Sequence, residues 1–92
     1  MEWRLFATIR EAAGADAVAV EPGPDATVGD ALDALIQTAP AVADHVYDED
    51  GDVYGHVTIL VNGRDPIAEG DGLAEPVDEG DELALMPAVS GG

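Results

Sequence analysis

Thr27-Val28-Gly29-Asp30-Ala31-Leu32-Asp33-Ala34-Leu35-Ile36-Gln37 carries the helical periodicity that decides the fold class. Val28, Ala31, Leu32, Leu35 and Ile36 recur at i, i+3, i+4, i+7 and i+8, while Asp30, Asp33 and Gln37 face away, so one apolar stripe must be covered by another layer. Thr27 with Asp30 three residues on resembles a capping box, Asp standing where Glu or Gln is usual, and an acid suits the positive end of a helix. Pro40 ends the pattern, because the residue before proline is driven out of helical conformation.

Outward from this helix the periods are those of strands. Residues Glu2 to Ile9 alternate, with Trp3, Leu5, Ala7 and Ile9 on one face and Arg4, Phe6 and Thr8 on the other. This predicts a strand with Phe6 on its polar side. Arg10 to Ala15 reads as an Ala-rich turn closed by Gly14, and Ala17 to Val20 as a returning strand, so the two form a hairpin. Glu21-Pro22-Gly23-Pro24-Asp25 interrupts any strand. Beyond the helix, Pro40 to Tyr47 suits a short second helical turn and Asp48 to Asp52 a solvated loop. Val57 to Val61 predicts a strand ending at Asn62-Gly63, a strong hairpin-turn signal, with Arg64 to Ile67 starting a return. Glu69 to Gly80 reads as irregular with Leu73 and Val77 tucked inward. Glu82 to Met86 predicts the last strand, Leu83 and Leu85 inward, Ala84 and Met86 outward.

A single helix covers only one face of such a sheet, which makes the chain α+β. Side-by-side first and last strands would give the β-grasp (ubiquitin-like) arrangement, a mixed sheet under one main helix. The expected organisation is one domain over 1–86 and a flexible tail over 87–92.

The 92 residues suffice for one small core, since chains this short bury only about 60–65% of their unfolded surface. Three arginines against twenty acids leave a net charge of -17, which repels nucleic acid and anionic membranes. With 47% hydrophobic residues the chain is nonetheless expected to fold rather than remain disordered. Lysine is absent, and the acidic, Ala- and Val-rich composition resembles proteins of salt-accumulating archaea. Self-repulsion destabilises a compact state, and molar salt shortens the Debye length to about 3 Å. No stretch reads as a leader or a membrane span, so a soluble, cytoplasmic protein is expected.

Candidate chemistry inside the chain is sparse. The absence of cysteine removes disulfides, thiolate metal sites and any Cys nucleophile. Gly70-Asp71-Gly72 begins no phosphate loop, because Glu75 occupies the third position and no lysine follows. Aligning Gly51 with the invariant EF-hand glycine puts Val46 and Val57 at ligand positions, so the acidic loop reads as solvated rather than calcium-binding. His45 and His56 lack a third nitrogen ligand, and Ser90 has no base at motif spacing. The expectation is therefore no metal, no cofactor bound by this chain and no enzyme activity of its own. Gly91-Gly92 differs from all of these, because two glycines remove side-chain bulk and let an extended segment enter a narrow channel. The terminal carboxylate becomes an accessible group for a partner enzyme.

Leu5-Phe6-Ala7 with Arg10-Glu11, then Ala26 to Leu32, Val61-Asn62-Gly63, and Gly80 through Met86 to Pro87-Ala88-Val89-Ser90-Gly91-Gly92 resemble the small subunit of molybdopterin synthase. With the acidic composition, the chain resembles that subunit's ubiquitin-like relatives, the small archaeal modifier proteins. The resemblance implies a Gly92 carboxylate that is adenylated by an E1-like enzyme using ATP. It then either becomes a thiocarboxylate, donating sulfur to molybdopterin precursor or transfer RNA, or is joined to target-protein lysines. The resemblance also implies the molybdopterin synthase large subunit as a partner. Phe6, Arg10 and Met86 fall at positions of the family's partner-binding face, with Pro87, Val89 and Ser90 leading to Gly91 and Gly92. Family members usually end Pro-Pro-Val-Ser/Thr-Gly-Gly, and Ala88 here replaces the second proline, leaving a less stiff tail. A monomer is expected, as is a non-covalent β-grasp interaction module if the Gly-Gly end is incidental.

Overall fold

The computed structural model describes residues 1–55 and 57–87. Strand β1 (Glu2–Leu5) leads into helix α1 (Ala7–Ala13), and β2 (Ala17–Ala19) returns to the long helix α2 (Val28–Thr38). A 3-10 turn (Pro40–Val42) and a short helix α3 (Ala43–Val46) follow. The second half holds β3 (Thr58–Val61), α4 (Pro66–Glu69), a 3-10 turn (Gly72–Ala74) and β4 (Glu82–Met86).

Among the described residues the strands form one sheet in the order β2-β1-β4-β3. The central pair β1 and β4 is parallel, with Trp3 opposite Leu83 and Leu5 opposite Leu85. Both outer pairs are antiparallel. First and last strands thus sit side by side in the centre, and the mixed sheet has the predicted β-grasp arrangement. Trp3, Leu5, Ile59, Leu83 and Leu85 point to the same side as Val28, Ala31, Leu32 and Leu35 of α2, and all are buried. Burial of such large side chains contributes about 1.5–3 kcal/mol each.

The capping box at α2 is complete: the Thr27 hydroxyl accepts from the Asp30 amide at 3.2 Å, and the Asp30 carboxylate accepts from the Thr27 amide at 3.0 Å. Aspartate therefore performs the reciprocal role usually taken by glutamate. The helical turns after Pro40 also form as expected.

Three local expectations are corrected. The predicted strand over Glu2 to Ile9 stops at Leu5, and Ala7 to Ala13 is helix. Ala-Thr-Ile-Arg-Glu-Ala-Ala is rich in helix formers, and Ile9 lies four residues from Leu5, so both reach the core from different elements. Gly14 closes α1 in left-handed conformation at φ 75°, its amide donating to the Arg10 carbonyl. The β1–β2 pair is therefore antiparallel but joined by a helix rather than a short turn. Next, the return strand over Arg64 to Ile67 shrinks to the single bridge between Val61 and Arg64. Asp65 then caps α4, its carboxylate accepting from the Ile67 and Ala68 amides with Pro66 in the first turn, a position where the missing proline N–H costs nothing. Finally, Val77 is buried but Leu73 is exposed, and Glu75 turns inward instead.

Candidate functional site

Because β1 and β4 are parallel, their carboxyl ends lie at the same end of the sheet, one residue past the Leu5–Leu85 pair. Phe6 and Met86 occupy those next positions. Phe6 is in extended conformation as the residue before α1, and its carbonyl accepts from the Ile9 and Arg10 amides. It remains 43% exposed. Ala7 behind it has φ 52°, the left-handed region that costs an L-residue roughly 1–2 kcal/mol. That sharp reversal ends β1 and leaves the Phe6 ring outside the core. Met86 is half-buried on the side of β4 away from α2, opposite Thr58. Pro87, also half-buried, follows it.

Arg10 lies one helical turn beyond Phe6 and is exposed, with a long 3.6 Å contact to Asp16. The Asp16 carbonyl accepts from the Leu5 amide at 2.8 Å, which folds the α1 segment back onto the end of β1. Phe6 and Met86 thus follow the paired ends of β1 and β4, with Pro87 next along the chain and Arg10 exposed on α1. Val89, Ser90, Gly91 and Gly92 lie outside the described residues, as does His56.

Register extends this corner into a face. Ala84 is flanked by Leu60 on β3 and Arg4 on β1, and Met86 by Thr58. Leu60, Ala84, Met86 and Thr58 are half-buried on the side opposite α2. Leu60 and Ala84 were not among the predicted site residues, although the alternation of Thr58 and Leu60 with Ile59 and Val61 carries the signal. Arg4 pairs with Glu82 at 2.9 Å across the strands, both well exposed, so the pair contributes little to stability.

Elsewhere the charges serve the fold. Arg64 pairs with Glu75, the one acid that is buried among the described residues. Hydrogen bonding to Glu75, and then its charge, push the Arg64 guanidinium further up from its ordinary value. A Cβ at Gly70 would press on the ends of both side chains, so the pair closes over a position without a side chain. The backbone explains the burial: the Glu75 carbonyl accepts from the Val28 amide, and the Val77 amide donates to Ala26. Residues 75–77 thereby run across the start of α2. Burial raises the Tyr47 phenol above its ordinary value, and the neighbouring Asp33 carboxylate raises it further. In the acidic loop, Asp48 accepts from the Asp50 and Asp52 amides. His45 is exposed at the end of α3. No group of three or more His, Asp and Glu placed to hold a metal occurs among the described residues. No helix among them is long and apolar enough to cross a membrane.

The arrangement is an apolar corner beside a strand end, with a cation next to it, and it suits docking rather than bond-making. The model of the ThiS family matches residues 3–92. Small archaeal modifier protein 1 of Haloferax volcanii is 50% identical over 92 residues, all of this chain and all of the relative. The crystal structure of SAMP1 from Haloferax volcanii superposes with a TM-score of 0.90 at 49% identity, covering 100% of this chain and 98% of that one. The Amycolatopsis orientalis BexX/CysO complex contains a chain similar to this one, with a TM-score of 0.81 at 26% identity over 99% of this chain and 98% of that one.

Proposed function

The chain belongs to the ThiS family, and on that basis we propose that it is a ubiquitin-like protein modifier and sulfur carrier whose reacting group is the Gly92 carboxylate. The observation that carries this reading is the full-length 50% identity to a small archaeal modifier protein, within a family match that runs to residue 92. An E1-like enzyme docks on Phe6, Arg10, Met86 and Pro87 and draws in Val89, Ser90, Gly91 and Gly92. There the carboxylate attacks the α-phosphate of ATP, forming an acyl-adenylate and releasing pyrophosphate. A lysine amine of a target protein then displaces AMP to form an isopeptide bond, or a sulfur donor displaces it to leave a thiocarboxylate for molybdopterin synthesis with the large subunit. ATP is held by the partner and no cofactor by this chain. Residues 1–86 serve as the docking domain and 87–92 as the delivered segment, in a cytoplasmic monomer.

The division of labour is supported by an apolar corner where β4 ends and by the commitment of Glu75, the buried acid among the described residues, to Arg64. The similarity to a chain of the BexX/CysO complex supports a partner on this scaffold.

The test is the intact mass of the chain recovered from its own cells. Replacement of one carboxylate oxygen by sulfur marks the carrier, and Gly92 remnants on target lysines mark the modifier. Since the sequence contains no lysine, lysine-linked ladders of this protein alone should not form. A variant lacking Gly91 and Gly92 should give neither product. Conjugates or thiocarboxylate from that variant would remove Gly92 from its role, and a wholly unmodified native chain would favour a non-covalent interaction module.

A further inference from the structure

The turn after β3 contains a dipeptide whose chemistry the docking function does not use. Asn62 and Gly63 have φ 52° and 85°, both left-handed, and Val61 and Arg64 exchange backbone hydrogen bonds across them at 2.8 and 3.0 Å. This is the two-residue hairpin geometry that favours Asn-Gly. Asn62 does more than turn the chain. Its Oδ1 accepts from the Glu82 amide at 2.9 Å, its Nδ2 donates to Asp81 Oδ1 at 2.9 Å, and its own amide donates to the Glu82 carbonyl at 2.8 Å. Asp81 uses its second oxygen to accept from the Asp78 amide at 2.8 Å. One side-chain amide thus fastens the end of β3 to the start of β4.

Asn-Gly is also the sequence in which a backbone nitrogen most readily attacks the preceding side chain, because glycine offers no side chain to block its amide. We infer that Asn62 is a modification site: a latent deamidation centre that the fold holds shut through Asp81 and Glu82. In the reaction the Gly63 nitrogen bonds to Asn62 Cγ, the Cγ–Nδ2 bond breaks, and the nitrogen leaves as ammonia, taking the Gly63 amide proton. Water then opens the cyclic imide at one of its two carbonyls, giving aspartate or isoaspartate. In the folded chain the side chain must first release both Glu82 and Asp81 before Cγ can meet the Gly63 nitrogen.

The product does not restore the corner. An aspartate at 62 places a carboxylate against the Asp81 carboxylate where a donor had been, and like charges at that separation repel. Isoaspartate adds a methylene to the main chain and destroys the turn geometry. Each conversion therefore follows a release of the Asn62 side chain from Asp81 and Glu82 and weakens its return.

The full chain, incubated at mildly alkaline pH in molar potassium chloride and in parallel in urea, tests this by mass spectrometry of the peptide carrying residue 62. Two hydrogen bonds hold the side chain, so conversion should be about tenfold or more slower in the folded chain. Asp81→Ala, folded by circular dichroism, should convert several times faster than the parent in the same salt. Equal rates in folded and denatured chain overturn the proposal, as does a folded Asp81→Ala variant no faster than the parent. If that variant unfolds, Asn62→Asp decides: a lower melting midpoint than the parent supports the clash with Asp81, and an unchanged one overturns it.

Discussion

The indole Nε1 of Trp3 donates to the carbonyl oxygen of Ala31 at 2.9 Å, joining the central strand β1 to the first turn of α2 inside the core. Both residues are fully buried, so the bond sets the position of the helix on the sheet without competition from water. Trp3→Phe removes the donor and part of the ring volume, and should lower stability by about 2–3 kcal/mol. Urea unfolding would show this as a lower midpoint with an unchanged slope. An unaltered midpoint would mean that the indole does not anchor the helix.

Salt governs the stability of this surface. With a net charge of -17 and three arginines, of which Arg64 is committed to Glu75, little offsets the self-repulsion of the folded chain. The thermal midpoint should rise steadily from millimolar to molar potassium chloride as screening shortens the Debye length. A flat or falling midpoint would contradict this.

Phe6 and Met86 lie outside the core cluster. Phe6→Asp or Met86→Asp should therefore preserve the circular-dichroism spectrum while reducing adenylation by the E1-like partner about tenfold or more, the loss expected when an interface anchor is removed. Undiminished adenylation would move the docking surface elsewhere. Loss of the folded spectrum would show that these side chains support the core.

Tyr47 makes stability depend on alkaline pH. Burial and the neighbouring Asp33 carboxylate raise its pKa above the ordinary 10.0, so the folded chain holds the phenolic proton more tightly than the unfolded chain. Its contribution is full below pH 10.0 and is lost as pH rises through the folded-state pKa. A tyrosinate absorbance titration should show a component above the ordinary range that disappears in Tyr47→Phe. If the two titrations coincide, burial and the Asp33 carboxylate do not hold the proton.

Elements whose signals are local and mutually consistent can be read from the chain alone. Thr27 and Asp30 are three residues apart, so the cap and the stripe from Val28 to Ile36 identify α2 without reference to the rest of the chain. Asn62-Gly63 likewise carries its left-handed turn in two residues, and Leu83 and Leu85 declare the buried side of β4 by alternation. The corner at Phe6 was legible because its neighbours alternate on a strand up to Leu5. Where that strand stops is set by packing, and it is not legible in the chain. From Glu2 to Ile9 a two-residue period and a helical period share Leu5 and Ile9, and only packing separates them: α1 delivers Ile9 to the core and Ala7 absorbs the reversal. Packing also decided the fates of Leu73 and Glu75, whose polarity predicts the reverse of what is found. Glu75 is inside because Arg64, eleven positions earlier, and the edge of α2 meet it there. A charge buried against a distant partner leaves no periodic trace in the chain, since the compensation exists only once the two segments are brought together.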